Sequence, residues 1–167
     1  YGAEPVRGAD MEMTVPIREH RHPAGYLLSS DPARLDMAVV HGYLTRSYWS
    51  PGIDRERVER AARHSLAYGL YHPDGGQVGY ARVVTDHATI AYLADVFVLE
   101  DARGDGLGTW MVQAVVQDPG LADLRRWLLF TRDAHGLYAR FGFGPLADPE
   151  RAMVRLNVSP HPSTSTG

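Results

Sequence analysis

The chain has 167 residues, a formal net charge of -3, 44% hydrophobic and 22% charged residues, the proportions of a soluble globular domain that can bury its own core. It contains no Cys and no Lys, so all 17 cationic side chains are Arg; disulfides, a thiolate nucleophile, Cys-ligated zinc, Schiff-base chemistry and a lysine general base are excluded. The acidic balance argues against bulk binding to nucleic acid, and no apolar run reaches the length of a membrane span, which makes a cytoplasmic location the default expectation.

Residues 1–15 lack periodicity and read as a disordered leader, residues 16–158 as one domain, and residues 159–167 as a loose Ser/Thr/Pro tail. His20 and His22 flank Arg21, but no H-E-x-x-H pair exists and no metal site is expected. A first helix is predicted from Asp31 as N-cap and Pro32 at N1, through Leu35, Ala38, Val39 and Gly42, to about Arg46. Ser47-Tyr48-Trp49-Ser50-Pro51-Gly52 breaks it. Asp54 caps a second helix, with Ile53 and Val58 spaced as a hydrophobic staple. Two strands, Ala67 to His72 and Gln77 to Thr85, flank the turn Pro73-Asp74-Gly75-Gly76.

Ile90 to Leu99 is the next strand. A helix over Thr109 to Gln117 follows, with Leu107, Trp110, Met111, Ala114 and Val115 on one face; Trp110 is therefore assigned to the core. Arg126 to Thr131 reads as a strand, Ala134 to Phe141 as a short helix capped by Asp133 and closed by Gly142, and Ala152 to Asn157 as a final strand. The order is β-α-α-β-β-β-α-β-α-β, a mixed α/β (α+β) domain.

Between the Ile90 strand and its helix lies Arg103-Gly104-Asp105-Gly106-Leu107-Gly108. A glycine-dense turn that opens a helix presents N–H groups without intrahelical partners at the positive end of the dipole, which suits a phosphate. Two familiar phosphate loops do not fit. A dinucleotide fingerprint needs Gly where Thr109 stands, and a P-loop needs a lysine the chain does not have.

The spelling Arg-x-x-Gly-x-Gly at Arg103, Gly106 and Gly108 resembles the acyl-CoA pyrophosphate loop of the GNAT superfamily of N-acetyltransferases. The resemblance extends through Tyr92-Leu93-Ala94-Asp95-Val96-Phe97-Val98, Thr131-Arg132-Asp133-Ala134-His135-Gly136 and Leu137-Tyr138-Ala139-Arg140-Phe141-Gly142-Phe143, and loosely over residues 25–155. It is closest to a bacterial subgroup that carries the Ser47-Tyr48-Trp49 segment and has no assigned acceptor. The resemblance implies a mixed, mostly antiparallel sheet flanked by helices, with a splayed wedge between two parallel strands and a bulge near Asp95. It implies acetyl-CoA as cofactor, its pantetheine arm on Val96, Phe97 and Val98, an N–H near Phe97 or Val98 on the thioester carbonyl, and its pyrophosphate on residues Arg103 to Gly108 with Thr109. It also implies that Thr131 faces the cofactor from the other wedge strand. A small-molecule amine is the implied partner, and a homodimer is common for such folds.

Acetyl transfer needs a neutral amine, close reactants and a proton for the leaving thiolate. Tyr138 is the candidate general acid; packing beside Phe141 is the alternative. Asp95 is a candidate base or amine-orienting anion, and bulge stabilisation is its structural alternative. His135 is the second candidate base or a cofactor contact. Tyr26, Tyr48 and Trp49 are candidates for an aromatic acceptor wall, with Arg82 and Asp86 supplying charge. Arg125 and Arg126 read as a solvated face. A non-catalytic CoA-binding module, or transfer of another acyl group, remains the alternative function.

Overall fold

The computed structural model describes residues 15–157; the expected leader, apart from Val15, and the expected tail lie outside them. Strands β1 (Glu19–Arg21), β2 (Leu27–Ser29), β3 (Leu66–Tyr71), β4 (Gln77–Thr85), β5 (Ile90–Val98) and β6 (Arg126–Leu128) follow one another across a single sheet in chain order. Every neighbouring pair is antiparallel except β5–β6, which is parallel. Helices α1 (Met37–Leu44) and α2 (Arg55–Arg63) cover one face, and α3 (Leu107–Val116) covers the other. Helix α4 (His135–Ala139) follows β6. The mixed, mostly antiparallel sheet flanked by helices is the architecture expected from the sequence.

Strand alternation sorts the two cores. Leu66, Tyr68 and Leu70 of β3 face α3 with Met111 and Val115, while Ala67 faces α1 and α2 with Val40, Leu44 and Val58. On β5 the alternation breaks. Ala91 and Leu93 face α3, yet Phe97 joins the α1–α2 side and Val98 returns to the α3 side. One extra residue near Asp95 explains this: β4 advances from Tyr80 to Arg82 while β5 advances from Ala94 to Phe97. The bulge moves every later side chain to the opposite face.

Several expected boundaries are corrected. Asp31 does cap a helical turn, but a short 3-10 one over Pro32–Arg34 that ends at extended Leu35. Asp36 then caps α1, accepting from the N–H groups of Ala38 and Val39, and α1 ends at Leu44 rather than Arg46. A second aspartate five residues on thus restarts the helix after the chain has turned. β6 stops at Leu128, because its ladder with β5 ends at Tyr92–Leu128, short of the bulge. Asp133 does not cap α4; Thr131 Oγ1 accepts from Ala134 N–H at 3.0 Å, and Asp133 pairs with Arg132 at 3.5 Å. Residues 152–157 form no strand, and Met153, Val154 and Leu156 stay exposed. Their β propensity is realised only against a partner edge, and they meet none among the described residues.

One buried charge ties the β1 edge to the far end of α3. Asp118 is fully buried beyond the α3 C-terminus. It takes Arg18 Nη1 at 2.7 Å, the Tyr68 hydroxyl at 3.0 Å and Gly120 N–H at 2.9 Å. Burial first, and then the Asp118 carboxylate, push the Tyr68 hydroxyl well above its ordinary pKa, so it remains a donor. Asp118→Ala should leave all three donors without this acceptor and lower the unfolding free energy by about 3 kcal/mol in urea melts. Tyr68→Phe should cost about 1 kcal/mol. Equal, near-zero losses would show that the network carries no stability.

Candidate active site

The wedge begins where the parallel ladder ends. β5 and β6 pair only over Ile90–Tyr92 and Arg126–Leu128. Beyond Tyr92 the β6 side of β5 has no laddered partner, so alternate backbone groups from Leu93 to Val98 face an open gap. A cleft of about 540 Å³ occupies this gap, lined by Leu93 to Val96 on one wall and Phe130 to Ala134 with Tyr138 on the other. Tyr48, Trp49 and Ser50 from the α1–α2 loop close one side.

Asp95 sits at the bulge with φ of 55°, left-handed backbone in a residue that is not glycine. Its short carboxylate makes that conformation bearable and is clamped from two sides. Arg82 Nε donates to one oxygen at 2.7 Å and Trp49 Nε1 to the other at 3.1 Å. Arg82 Nη1 also donates to Ser65 Oγ at 3.1 Å, and Ser65 donates to the Ala61 carbonyl of α2 at 2.7 Å. The carboxylate therefore acts first as a tether between sheet, helix and loop, the structural alternative weighed for it from the sequence.

The glycine loop meets the mouth of the wedge. Gly104 and Gly106 have φ of 115° and 70°, and a Cβ at either would meet no atom within 4 Å. Their glycine character serves the turn and leaves open space beside it. Trp110 N–H closes onto Gly106 O at 2.9 Å, whereas the amides of Gly104 through Thr109 donate to no backbone carbonyl among the described residues. Such a run at a ten-residue helix start suits a diphosphate. The Arg103 side chain is engaged elsewhere: Nε donates to Val98 O at 2.8 Å and Nη2 to the Tyr43 hydroxyl at 3.1 Å. The loop thus offers an anion its backbone, and Arg103 fastens the loop to β5 and α1.

Tyr138 stands between the cleft and an apolar groove of about 450 Å³ lined by Trp127, Leu129, Phe143 and Leu146. Burial pushes its hydroxyl up to about 12, with the neighbouring Tyr48 adding to the shift. Thr131 lines the cleft. Tyr48 bridges the two walls: its hydroxyl accepts from Arg132 N–H at 3.1 Å, and its ring carries the Arg132 guanidinium at 3.8 Å.

Three expected members lie elsewhere. His135 lines the apolar groove rather than the cleft. Tyr26 immediately precedes β2, which β3 and β4 separate from β5, and packs edge-on against His72 at 5.3 Å. Asp86 caps the β4–β5 turn, accepting from Ala88, Thr89 and Ile90; the Thr89 side chain first, and then these amides, hold its carboxyl well below the usual range. Trp110 packs against the core as expected, edge-on to His22. Tyr92, Phe130 and Arg132 were missed as cleft residues. Alternation along β5 puts Tyr92 on the side of Ala94, but only the splay of β6 turns that side into a cavity wall.

Comparison with known proteins agrees with this geometry. Residues 64–145 match the family described as Acetyltransferase (GNAT) domain. A candidate acetyltransferase of Gibberella zeae is 30% identical over 135 residues, covering 69% of this chain and 76% of that protein. A candidate GNAT acetyltransferase of Xanthomonas campestris pv. campestris, solved by crystallography, is 45% identical with a TM-score of 0.76, over 78% of this chain and 92% of its own. The chain belongs to the GNAT acetyltransferase family. The fold is also shared, at 15% identity and a TM-score of 0.55, over 79% of this chain and 94% of its own, with a candidate acetyltransferase of Clostridium acetobutylicum solved with acetyl-CoA.

The bulge yields a direct test. Asp95→Asn keeps a side chain tolerant of left-handed backbone and one acceptor, and should cost about 1 kcal/mol or less in urea melts. Asp95→Val places a β-branched residue at positive φ and removes both acceptors; a loss of about 3 kcal/mol is expected. If the valine variant is as stable as the asparagine one, the clamp does not hold the bulge.

Proposed function

We propose that this GNAT family member transfers an acetyl group from acetyl-CoA to a primary amine of a small molecule, by direct attack with both substrates bound. The observation that carries the reading is the meeting of an unpaired β5 edge with a run of free amides at the start of α3. Acetyl-CoA, when bound, supplies the activated acetyl group. The amides of Gly104 through Thr109 would hold its diphosphate, and the backbone of Val96 to Val98 its extended arm, with Thr131 on the opposite wall. An N–H at Phe97 or Val98 is the candidate donor to the thioester oxygen. The absence of Cys from the sequence leaves no cysteinyl route and favours direct transfer.

Proximity is the main contribution asked of the protein, since effective molarities can reach about 10⁵ M or more. Tyr138 is the proton donor to the leaving sulfur. Its hydroxyl, pushed up to about 12, is protonated throughout the neutral range, the form an acid must have. Asp95 orients through its clamp rather than abstracting a proton, because both oxygens already accept hydrogen bonds.

Two measurements test this reading. Acetyl-CoA and desulfo-CoA should each raise the melting temperature saturably. Gly106→Val, which forces a β-branched residue into φ of 70°, should abolish that shift; no shift in the parent at millimolar ligand would overturn the assignment. Tyr138→Phe should keep the shift and lower kcat by about 10²-fold. As the acid is lost only when pH rises through its raised pKa, kcat should show no alkaline limb from Tyr138 below about pH 10. A limb near about pH 8 that disappears in the phenylalanine variant would contradict the burial argument.

A further inference from the structure

The acceptor wall combines two properties. It is aromatic, with Tyr48, Trp49, Tyr92, Phe130 and Tyr138 all lining the cleft. The charges set into its strand wall are also already paired. Asp95 is held by Arg82 at 2.7 Å and by Trp49 at 3.1 Å, and Arg132 lies over the Tyr48 ring with Asp133 at 3.5 Å. Among the described residues, Asp95 is the carboxylate set into the strand wall, and both its oxygens are taken; Asp133 stands at the exposed rim beside Arg132, and His135, the one histidine expected there, lines the apolar groove instead.

The proton balance makes this arrangement selective. When a neutral amine attacks the thioester carbonyl, the N–C bond forms and the C–S bond breaks. The nitrogen releases one proton, the sulfur takes one, and the products are an amide and a free thiol. No external base is consumed. An ammonium brings one further proton that must be removed before its nitrogen has a lone pair. An alkylamine of pKa roughly 10 is neutral in only about one molecule in 10³ at pH 7, whereas an arylamine is almost wholly neutral there.

We propose that the cleft takes a weakly basic aromatic primary amine, an arylamine, in preference to a protonated aliphatic amine. The inference rests on the acetyl-transfer reading above and adds the acceptor class to it. The ring of such a substrate is received by the Trp49, Tyr92 and Phe130 side chains, through offset or edge-on contacts. Its uncharged amine requires neither a carboxylate partner nor a deprotonating residue.

The test uses the full chain with acetyl-CoA and follows thiol release and amide formation. The acceptors are 4-methylaniline and 4-methylbenzylamine, which share a ring and differ in basicity, with free lysine and spermidine as charged aliphatic comparators. At pH 7, kcat/KM for 4-methylaniline should exceed that for 4-methylbenzylamine by on the order of tenfold or more, despite its lower intrinsic nucleophilicity. Across pH 6 to 10 the arylamine profile should be flat, while the benzylamine profile should rise about tenfold per pH unit toward its own pKa. Lysine, spermidine or the benzylamine equalling the arylamine at pH 7 would overturn the acceptor class and leave the acetyl-transfer reading standing. Saturable stabilisation by acetyl-CoA with no turnover of the arylamine would also overturn it. Absence of any acetyl-CoA binding would instead sink the underlying reading, and the acceptor class with it.

Discussion

The extra residue in β5 is the constraint on which the rest of the site depends. It reverses the inside–outside alternation, so that Leu93 and Phe97 serve opposite cores although four positions apart. Phe97 then stacks on Tyr43 of α1 at 3.9 Å and 8°, and the Tyr43 hydroxyl accepts from Arg103. Arg103 in turn reaches back to the Val98 carbonyl. A continuous set of contacts thus runs from the bulge through the α1 layer to the glycine loop. Without the bulge, Phe97 would turn toward α3 and Tyr43 would lose the ring that holds it over Arg103.

The cleft is closed by segments that lie far apart in sequence. The α1–α2 loop sends Trp49 to Asp95 and Tyr48 to Arg132, spanning 46 and 84 positions of chain. These links join the loop to both diverging walls of the wedge. The two guanidiniums at the cavity also hold elements together: Arg82 joins Asp95 to Ser65, and Arg132 lies over the Tyr48 ring.

The sequence revealed the parts whose chemistry is local. The Asp54 cap, the Pro73–Gly76 turn and the Gly104–Gly108 loop each carry their signal within a few residues, and the structure has helix, hairpin and turn there. The bulge near Asp95 came from the family resemblance, while the carboxylate interrupting an apolar strand pointed to a base or an amine-orienting anion, with bulge stabilisation as its structural alternative. What could not be read were partnerships made across the fold. Nothing local distinguishes Tyr26, which packs beside His72, from Tyr48, which reaches the cleft. The same holds for His135, where α4 begins after a turn stabilised by Thr131 and not by the expected Asp133. Residues 152–157 have a strand's composition, but a strand is a pairing, and composition does not supply the partner.

The exclusive use of arginine has different consequences at different positions. On α2, Arg55 and Arg60 make exposed pairs with Glu59 and Glu56, where an ammonium would serve about as well. At Arg82 and Arg103 the guanidinium works in two directions at once. Arg82 directs Nε to Asp95 and Nη1 to Ser65; Arg103 directs Nε to Val98 O and Nη2 to Tyr43. A planar fork holds both angles with little further loss of freedom, whereas a lysine ammonium offers one point at the end of a flexible stem. A compositional bias that is neutral on the surface is therefore structural at these two sites. One of them aims the bulge and the other anchors the loop, so the geometry of the wedge depends on the shape of the arginine head group as much as on its charge.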